Sequence, residues 1–404
     1  MYLNNYKYLK KKEVLIVIVL FLFSVAIRIP IILIFGDSNL ENEWGILVNN
    51  LINHGTLAIE NFDGFLLPNL WMPPLYAYYI YFFSFFNLEN QNFILLILSS
   101  QVLLASISVG VFYKINKLFF SQKLSIFGSL LFSLFPLHVY ACAQISSISL
   151  HIFLAILFYY YFFQIAMKGN LKSILIFAFT AGLLILTRRE FIAILVLSSL
   201  FLFLFYKISK KNILLIVLIT MVIISPYLIR NILIFDKIII QAGFGYNVWK
   251  ANNPNAKVEG STLIDNNLQK QIDKIPKDKF YRINEDEIFF NEGIKYIIEE
   301  PKRYLILYLK KIASFLFIDI DSSEPQYYNH FHYIPVLLIG ITSLLGIFFS
   351  DKKSYKLNYL IVIFFFYVMT FSFFAILPRY KLAVIPLQII FTNIFINYVK
   401  KRIS

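Results

Sequence analysis

Residues 14–55 decide the fold, and they read VLIVIVLFLFSVAIRIPIILIFGDSNLENEWGILVNNLINHG. Residues 14–35 are an apolar run of about the length that a helix needs to cross the hydrocarbon core of a bilayer. Three acidic residues follow at once, namely Asp37, Glu41 and Glu43. The next apolar side chains share one helical face: Trp44, Leu47, Val48 and Leu51. The stretch therefore predicts a membrane anchor, then carboxylates, then an amphipathic helix at the membrane surface.

The composition extends this pattern over the whole chain. The protein has 404 residues, of which 59% are hydrophobic, including 44 Phe and 27 Tyr, whereas a soluble domain is about 45–50% apolar. Repeated apolar runs predict an all-α polytopic membrane protein. One cysteine, Cys142, excludes an intrachain disulfide and a cysteine-based metal site. Residues 14–35 are too long for a signal-peptide core and lack a small-residue cleavage site, so we expect an uncleaved anchor.

Lysine placement predicts the topology. The net charge of +14 arises largely from clusters in short loops between apolar runs, a pattern typical of cytoplasmic topology signals and not of nucleic-acid binding. The N-terminus carries Lys7, Lys10, Lys11 and Lys12. The later clusters are at Lys114, Lys117 and Lys123, at Lys168 and Lys172, at Lys207, Lys210 and Lys211, at Lys352, Lys353 and Lys356, and at Lys400, Lys401 and Arg402. All fall inside if there are ten spans with both termini inside. The predicted spans are 14–35, 93–112, 124–141, 148–166, 172–187, 189–206, 213–235, 333–350, 358–377 and 382–398.

Two further apolar runs, 74–86 and 304–318, are expected to lie at the outer interface as helices. The chain then divides into a first transmembrane module, residues 1–235, with a first outer loop at 36–92. An outer (periplasmic) loop region with interfacial helices follows at 236–332, and C-terminal transmembrane helices at 333–404. Within the outer region, helical spacing covers 285–299, and Pro301 suits the first turn of another helix.

Arginine is used sparingly, in contrast to lysine. Of eight arginines, five fall at or near the outer ends of predicted spans: Arg28, Arg188, Arg189, Arg230 and Arg379. Charges at that depth usually line a cavity or pair with another group, and guanidinium suits bidentate contact with phosphate. Each arginine could instead extend toward lipid headgroups. The histidines lack metal-ligand spacing as a set, and no nucleotide-binding Gly-rich loop is present.

The order of short motifs along nearly the whole chain resembles the GT-C membrane glycosyltransferases. It is most similar to the protein O-mannosyltransferases and aminoarabinose transferases. After the acidic segment, the motifs are Leu51 to Gly55, Pro73-Pro74-Leu75-Tyr76, LLILTRRE at 183–190, SPYLIRN at 225–231, GYNVWKANNP at 245–254 and Pro378-Arg379-Tyr380-Lys381. No single motif is specific, and the resemblance rests on their order and spacing.

The resemblance implies an enzyme of the cell inner membrane that acts at its periplasmic or exterior face. Such enzymes move a sugar from a polyprenyl-phosphate carrier to an acceptor, usually with inversion, and the acceptor is a glycan, a lipid or a protein. No cofactor, metal or nucleic acid is expected. A carboxylate in the first outer loop is the base. Placing Trp44 on the family's aromatic position makes Glu41 the expected base, with Glu43 and Asp37 as alternatives.

The resemblance also implies the substrate-binding residues. Arg230 and Arg379 are expected to contact the carrier phosphate, with Arg188 and Lys381 close by. Three more are expected among the substrate-binding residues: Tyr76, Asn252 and Asn253. The second outer loop, AQISSISL at 143–150, lacks the acid that the family often has there. That departure argues against metal-dependent chemistry.

Three other classes of protein remain open from the sequence. A lipid-linked sugar transporter would favour ionisable residues near the bilayer midplane and an internal repeat, and neither is evident in the sequence. A polysaccharide polymerase or ligase would use outer arginines without needing the first-loop acids. A non-catalytic membrane assembly protein is the third.

The lysine pattern gives a test of topology. With Cys142 replaced by serine, Ser121→Cys places a thiol in the loop around 115–122, which is predicted to face inward. A membrane-impermeant maleimide applied to intact cells should leave this variant unlabelled and should label His54→Cys in the first outer loop. Labelling of Ser121→Cys from outside would overturn the ten-span topology.

Overall fold

The computed structural model describes residues 2–62, 64–322, 329–351 and 353–403, and the side chains from residue 11 onward within them. The described chain is mostly helical, as predicted. Its first half contains α1 (Tyr2–Phe35), α2 (Glu43–His54), β1 (Ala58–Phe62), β2 (Phe65–Pro68), α3 (Pro74–Ser84), α4 (Asn90–Asn116), α5 (Gln122–Leu134), α6 (Pro136–Tyr140), α7 (Ile148–Lys168), α8 (Leu171–Thr187) and α9 (Phe191–Leu204). Lys352 of the predicted inner loop and residues 323–328 of the predicted outer region lie outside the described residues.

The second half begins with the long helix α10 and continues through the outer region to the last membrane helices. Its elements are α10 (Lys210–Phe235), α11 (Phe244–Asn252), α12 (Asn266–Ile272), α13 (Tyr281–Glu299), α14 (Pro301–Leu316), α15 (His330–Phe348), α16 (Tyr355–Phe371), α17 (Pro378–Lys381) and α18 (Ile385–Ile403). The helices predicted from the spacing of 285–299 and from Pro301 are α13 and α14.

Several helices are long and apolar enough to cross a bilayer, which confirms a multi-pass membrane protein. Five qualify within the described residues: Lys11–Phe35, Asn90–Asn116, Ile148–Lys168, Lys210–Phe235 and His330–Phe348. Three shorter apolar helices, α8, α9 and α16, coincide with predicted spans. The total of ten spans stays a prediction.

The predicted span 124–141 is a bent pair of helices. Helix α5 ends at Leu134, and the pair turns by 55° at the break. Phe135 is extended there, with φ −61° and ψ 115°, because the ring of Pro136 disfavours the helical conformation in the residue before it. After the bend, α6 continues directly into the 3₁₀ turn Ala141–Ala143.

The first outer loop contains the predicted amphipathic helix, α2. Its buried face carries Trp44, Leu47 and Val48. Asn42 caps the helix, since its side-chain oxygen accepts hydrogen bonds from the backbone N–H groups of Trp44 (3.1 Å) and Gly45 (3.3 Å). The antiparallel hairpin β1–β2 follows. The sequence analysis did not predict this hairpin.

The outer region has a small core of its own. Its buried apolar side chains are Trp249, Leu268, Ile272, Ile275 and Phe289. Helices α11 and α13 approach closely because both carry glycine at the contact. A Cβ on Gly245 would lie 1.9 Å from the backbone oxygen of Asp286, and one on Gly293 would lie 2.9 Å from Cα of Trp249. These helices therefore form a packed cap.

Candidate functional site

Asp37 joins the first outer loop to the second at the end of α1. Its backbone N–H donates to the carbonyl of Ala143 at 2.9 Å. Its Oδ2 accepts from the backbone N–H of Ile145 at 2.7 Å. The side chain is half-buried, and Oδ1 accepts no hydrogen bond from any described residue. Asp37 is thus a carboxylate that Oδ2 and the backbone N–H fix against the second outer loop.

Glu41 and Glu43 have a different environment. Both side chains are exposed, immediately before and at the start of α2. A carboxylate in this position interacts favourably with the helix dipole. Nothing in the described structure fixes either one toward a cavity. Among the three acids predicted as the base, only Asp37 is held at the second outer loop.

A cavity lies between the start of α7, the end of α8 and the segment that opens α18. Its polar lining consists of His151, Arg188, Tyr367, Arg379 and Tyr380. Its apolar lining consists of Ile148, Ile152, Phe371, Leu382 and Ala383. Ile148 is three residues beyond Ile145, so the loop that binds Asp37 leads directly into this cavity.

Two arginines lie against one aromatic ring in this cavity. The guanidinium carbons of Arg188 and Arg379 are each 5.5 Å from the ring centroid of Tyr380, within the range of cation–π contact. Arg188 is half-buried and Arg379 is exposed. In the part of the chain that the structure describes, neither pairs with a carboxylate. Their charge is available to an anionic ligand.

The other outer arginines are engaged within the protein. Arg28 donates to the hydroxyl of Ser24 at 2.6 Å. Arg189 donates to the carbonyl of Gln241 at 2.5 Å. Arg230 donates to the carbonyl of Asn69 at 3.0 Å and to Oδ1 of Asn231 at 2.7 Å. The structure therefore places Arg230 away from the cavity that holds Arg188 and Arg379, as a tie between α10 and the first outer loop.

Tyr76, Asn252 and Asn253 are buried and bonded inside the protein. The hydroxyl of Tyr76 donates to Oε1 of Gln101 at 2.7 Å. Asn252 donates to the carbonyl of Val248 at 2.8 Å, and Asn253 donates to that of Ser261 at 2.8 Å. The structure does not bring any of them into the cavity. Their contacts hold α3 against α4 and order the turn after α11.

Lys381 lines a second cavity, on the other side of segment 376–381. The lining residues are Glu259, Ser314, Ile318, Asp319, Ser322, His332, Ile376, Pro378 and Lys381. Nζ of Lys381 donates to the carbonyl of Phe317 at 2.5 Å. Burial lowers the pKa of Lys381 to about 7, and the Asp319 carboxylate opposes that shift. Lys381 is therefore close to Arg379 in sequence but lines a different cavity.

Of the polar residues that line the cavity with Arg188 and Arg379, the sequence analysis missed three: His151, Tyr367 and Tyr380. In the sequence analysis His151 was considered only as one histidine of a possible metal-binding set. Tyr380 appeared only as one residue of the motif Pro378-Arg379-Tyr380-Lys381. The available signal for Tyr380 was its position between Arg379 and Lys381, since an aromatic ring beside arginine is a common stacking partner. For His151 the signal was weak, because its relation to Arg188 depends on the packing of α7 against α8. The described part of the chain holds no group of three or more His, Cys, Asp or Glu side chains that could bind a metal.

Comparison with known proteins gives the fold. A family model described as dolichyl-phosphate-mannose-protein mannosyltransferase matches residues 72–229. No curated protein sequence matches the chain. The structure of the oligosaccharyltransferase AglB from Archaeoglobus fulgidus, in complex with an inhibitory peptide and a dolichol-phosphate, is similar, with a TM-score of 0.57 and 12% identity. The match covers 98% of this chain and 51% of that one.

A second similar structure is ArnT from Cupriavidus metallidurans in the apo state. It has a TM-score of 0.50 and 13% identity, and the match covers 100% of this chain and 63% of that one. This chain has the GT-C glycosyltransferase fold. The resemblance seen in the sequence is thus confirmed by the family model and by the fold. The chain spans about half the length of AglB.

Buried Lys311 gives a test of the packing beneath the outer cap. Its Nζ donates to the carbonyl of Ala251 at 2.7 Å and to Oδ1 of Asn252 at 3.3 Å. Burial lowers its pKa from 10.5 to about 7. Because the unfolded chain then holds more protons between those values, folding stability should rise with pH through this window, by up to roughly 1.4 kcal/mol per pH unit. Lys311→Met should reduce that slope.

The matched control is Lys310→Met, on the same helix. Lys310 is exposed and lies 3.9 Å from Asp321, so its replacement should leave the slope unchanged. Thermal unfolding of the detergent-solubilised protein between pH 7 and pH 10 measures both variants. Equal slopes in Lys311→Met and the parent protein would show that Lys311 is not buried in this way.

Proposed function

We propose that this protein transfers a sugar from a polyprenyl-phosphate carrier to an acceptor at the outer face of the membrane. The observation that carries the proposal is the pair of guanidiniums, Arg188 and Arg379, in one cavity at the end of membrane helices and without a carboxylate partner in the described structure. A phosphate fixed to a lipid tail stays at the interface, where such a pair can bind it. AglB, which shares the fold, is described in complex with a dolichol-phosphate.

The phosphate needs this positive charge most during transfer. The acceptor oxygen or nitrogen attacks the anomeric carbon of the sugar, and the bond from that carbon to the phosphate oxygen breaks. The oxygen keeps the electron pair, so negative charge on the phosphate increases. Preorganised donors directed at developing charge stabilise it strongly in a partly dry site. Arg188 and Arg379 are the residues proposed for this role, with inversion at the anomeric carbon.

Asp37 is the proposed base among the three candidate acids. A base must lie within hydrogen-bond reach of the proton that it removes, so its position must be fixed. The backbone bonds of Asp37 to Ala143 and Ile145 hold its carboxylate next to the loop that leads into the cavity. Glu41 and Glu43 are exposed, and they are the alternatives that the test must separate from Asp37.

The proposed location follows from the lysine clusters. With short lysine-rich loops inside, the ends of α1, α8 and α10 and the start of α7 and α18 face outward. The cavity then faces the periplasm or exterior from a cell inner membrane. The donor is a polyprenyl-phosphate sugar, and the acceptor is a glycan, a lipid or a protein.

Binding of the carrier tests the two arginines. Arg188→Ala and Arg379→Ala should each weaken binding of a fluorescent polyprenyl phosphate by roughly 10-fold or more, because each removes a charge-assisted hydrogen-bond donor. Competition binding in detergent or nanodiscs measures the affinity. Arg402→Ala, at the end of α18, removes an equal charge far along the helix and should have no effect. Unchanged affinity in both cavity variants would contradict the phosphate site.

Transfer activity tests the base. Asp37→Asn should lower the rate of sugar transfer by about 10²–10⁴, the usual effect of losing a positioned base, while carrier binding remains. Glu41→Gln and Glu43→Gln are the matched controls and should keep most of the activity. Loss of activity in a glutamate variant alone would move the role to that glutamate. Normal transfer by all three variants would favour the polymerase or assembly reading instead.

A further inference from the structure

His151 is a buried imidazole in the proposed donor cavity with a defined tautomer. Its Nδ1 lies 3.4 Å from Oγ1 of Thr187. The Thr187 hydroxyl already donates its hydrogen to the carbonyl of Leu184, at 2.7 Å. A hydroxyl has one hydrogen to donate, so Oγ1 can only accept from His151. The neutral ring therefore carries its hydrogen on Nδ1 and has a bare lone pair on Nε2.

That lone pair has no protein partner. Nε2 of His151 accepts no hydrogen bond from any described residue. It is also buried, since only 3% of the residue is exposed. The ring packs edge-on against Phe191, with centroids 5.1 Å apart, so it is not free to turn away. A buried acceptor without a partner costs free energy. The cavity that His151 lines with Arg188 is the place where a ligand can supply the missing donor.

We propose that Nε2 of His151 accepts a hydrogen bond from a hydroxyl of the donor's sugar. This inference rests on the proposed function and adds a sugar-specificity residue to it. A phosphodiester has no hydrogen to donate, so the phosphate cannot be the partner of this lone pair. An ordinary imidazole, with a pKa of about 6.5, is mostly neutral above pH 7. A sugar hydroxyl is the donor that the carrier brings.

The position of His151 selects which hydroxyl it contacts. The residue that holds its ring, Thr187, immediately precedes Arg188. The imidazole and the guanidinium proposed to bind the phosphate also line the same cavity. The sugar carbon nearest that phosphate is the anomeric carbon, and its neighbour bears the 2-hydroxyl. His151 is thus assigned to the 2-hydroxyl and acts in recognition of the sugar, apart from the chemistry at the anomeric carbon.

The test compares three ligands for each variant. The first ligand is polyprenyl phosphate without a sugar. The second is polyprenyl-phosphate mannose, glucose or galactose, whichever the parent protein binds most tightly. The third is the 2-deoxy form of that second ligand. The parent protein should bind the intact donor roughly 3- to 10-fold more tightly than the 2-deoxy donor, the usual effect of one hydrogen bond. In His151→Leu the intact and the 2-deoxy sugar donors should bind with equal affinity. Once the imidazole is absent, removing the 2-hydroxyl breaks no further hydrogen bond, so the two losses of affinity do not add.

Controls separate this inference from the proposed function. His151→Gln keeps a side-chain acceptor and should restore part of the discrimination. His330→Leu removes an exposed imidazole elsewhere and should change nothing, and thermal unfolding checks that each variant is folded. If His151→Leu binds sugar-free polyprenyl phosphate normally and still discriminates the 2-deoxy donor, the inference is overturned and the carrier site stands. If the parent protein binds neither the phosphate nor any of the donors, both are overturned.

Discussion

The outer segments of this protein are held in place by long polar side chains that donate to backbone carbonyls of distant loops. A membrane helix satisfies its own backbone, but an irregular loop at the end of a bundle does not, and unpaired buried carbonyls are costly. Here side chains at the ends of helices meet that requirement over long separations in sequence. The donor and acceptor pairs include Gln101 with Cys142 and Gln144, Arg189 with Gln241, Arg230 with Asn69, Gln241 with Trp71, and Lys311 with Ala251.

This requirement separates the structural arginines from those available to a ligand. Arg189 and Arg230 each lie beside a loop carbonyl and donate to it. Arg188 and Arg379 have no such carbonyl partner among the described residues and stack on Tyr380 instead. A cation–π contact uses none of the N–H donors of a guanidinium as hydrogen-bond donors, so these donors remain for a ligand. Arginines near the ends of helices therefore have two kinds of environment, and the presence or absence of a nearby loop carbonyl distinguishes them.

Sequence patterns predicted the elements whose signals are local. The face of Trp44, Leu47 and Val48 gave α2, and Pro301 gave the start of α14. The bend at Pro136 also has a local signal, which the assignment of a single span over 124–141 did not use. No local sequence signal predicted the hydrogen bond from Arg230 to the carbonyl of Asn69, because the two residues are 161 positions apart. The sequence analysis preferred Glu41 to Asp37 as the base because of the alignment to Trp44. The burial and the backbone contacts of Asp37 favour Asp37 instead, and they depend on how loop 143–147 folds.

The second outer loop connects the two halves of the proposed site. In this chain the loop contains no acid, and its backbone is instead bound by Asp37, through the N–H of Ile145, and by Asn42, which donates to the carbonyl of Ile145 at 3.1 Å. Both contacts come from the first outer loop. The helix that follows, α7, begins only three residues later and supplies His151 to the cavity. A displacement of Ile145 would therefore move the proposed base and the proposed donor pocket together. In the proposed mechanism this loop therefore sets the distance between the base and the donor pocket, through the backbone of Ile145.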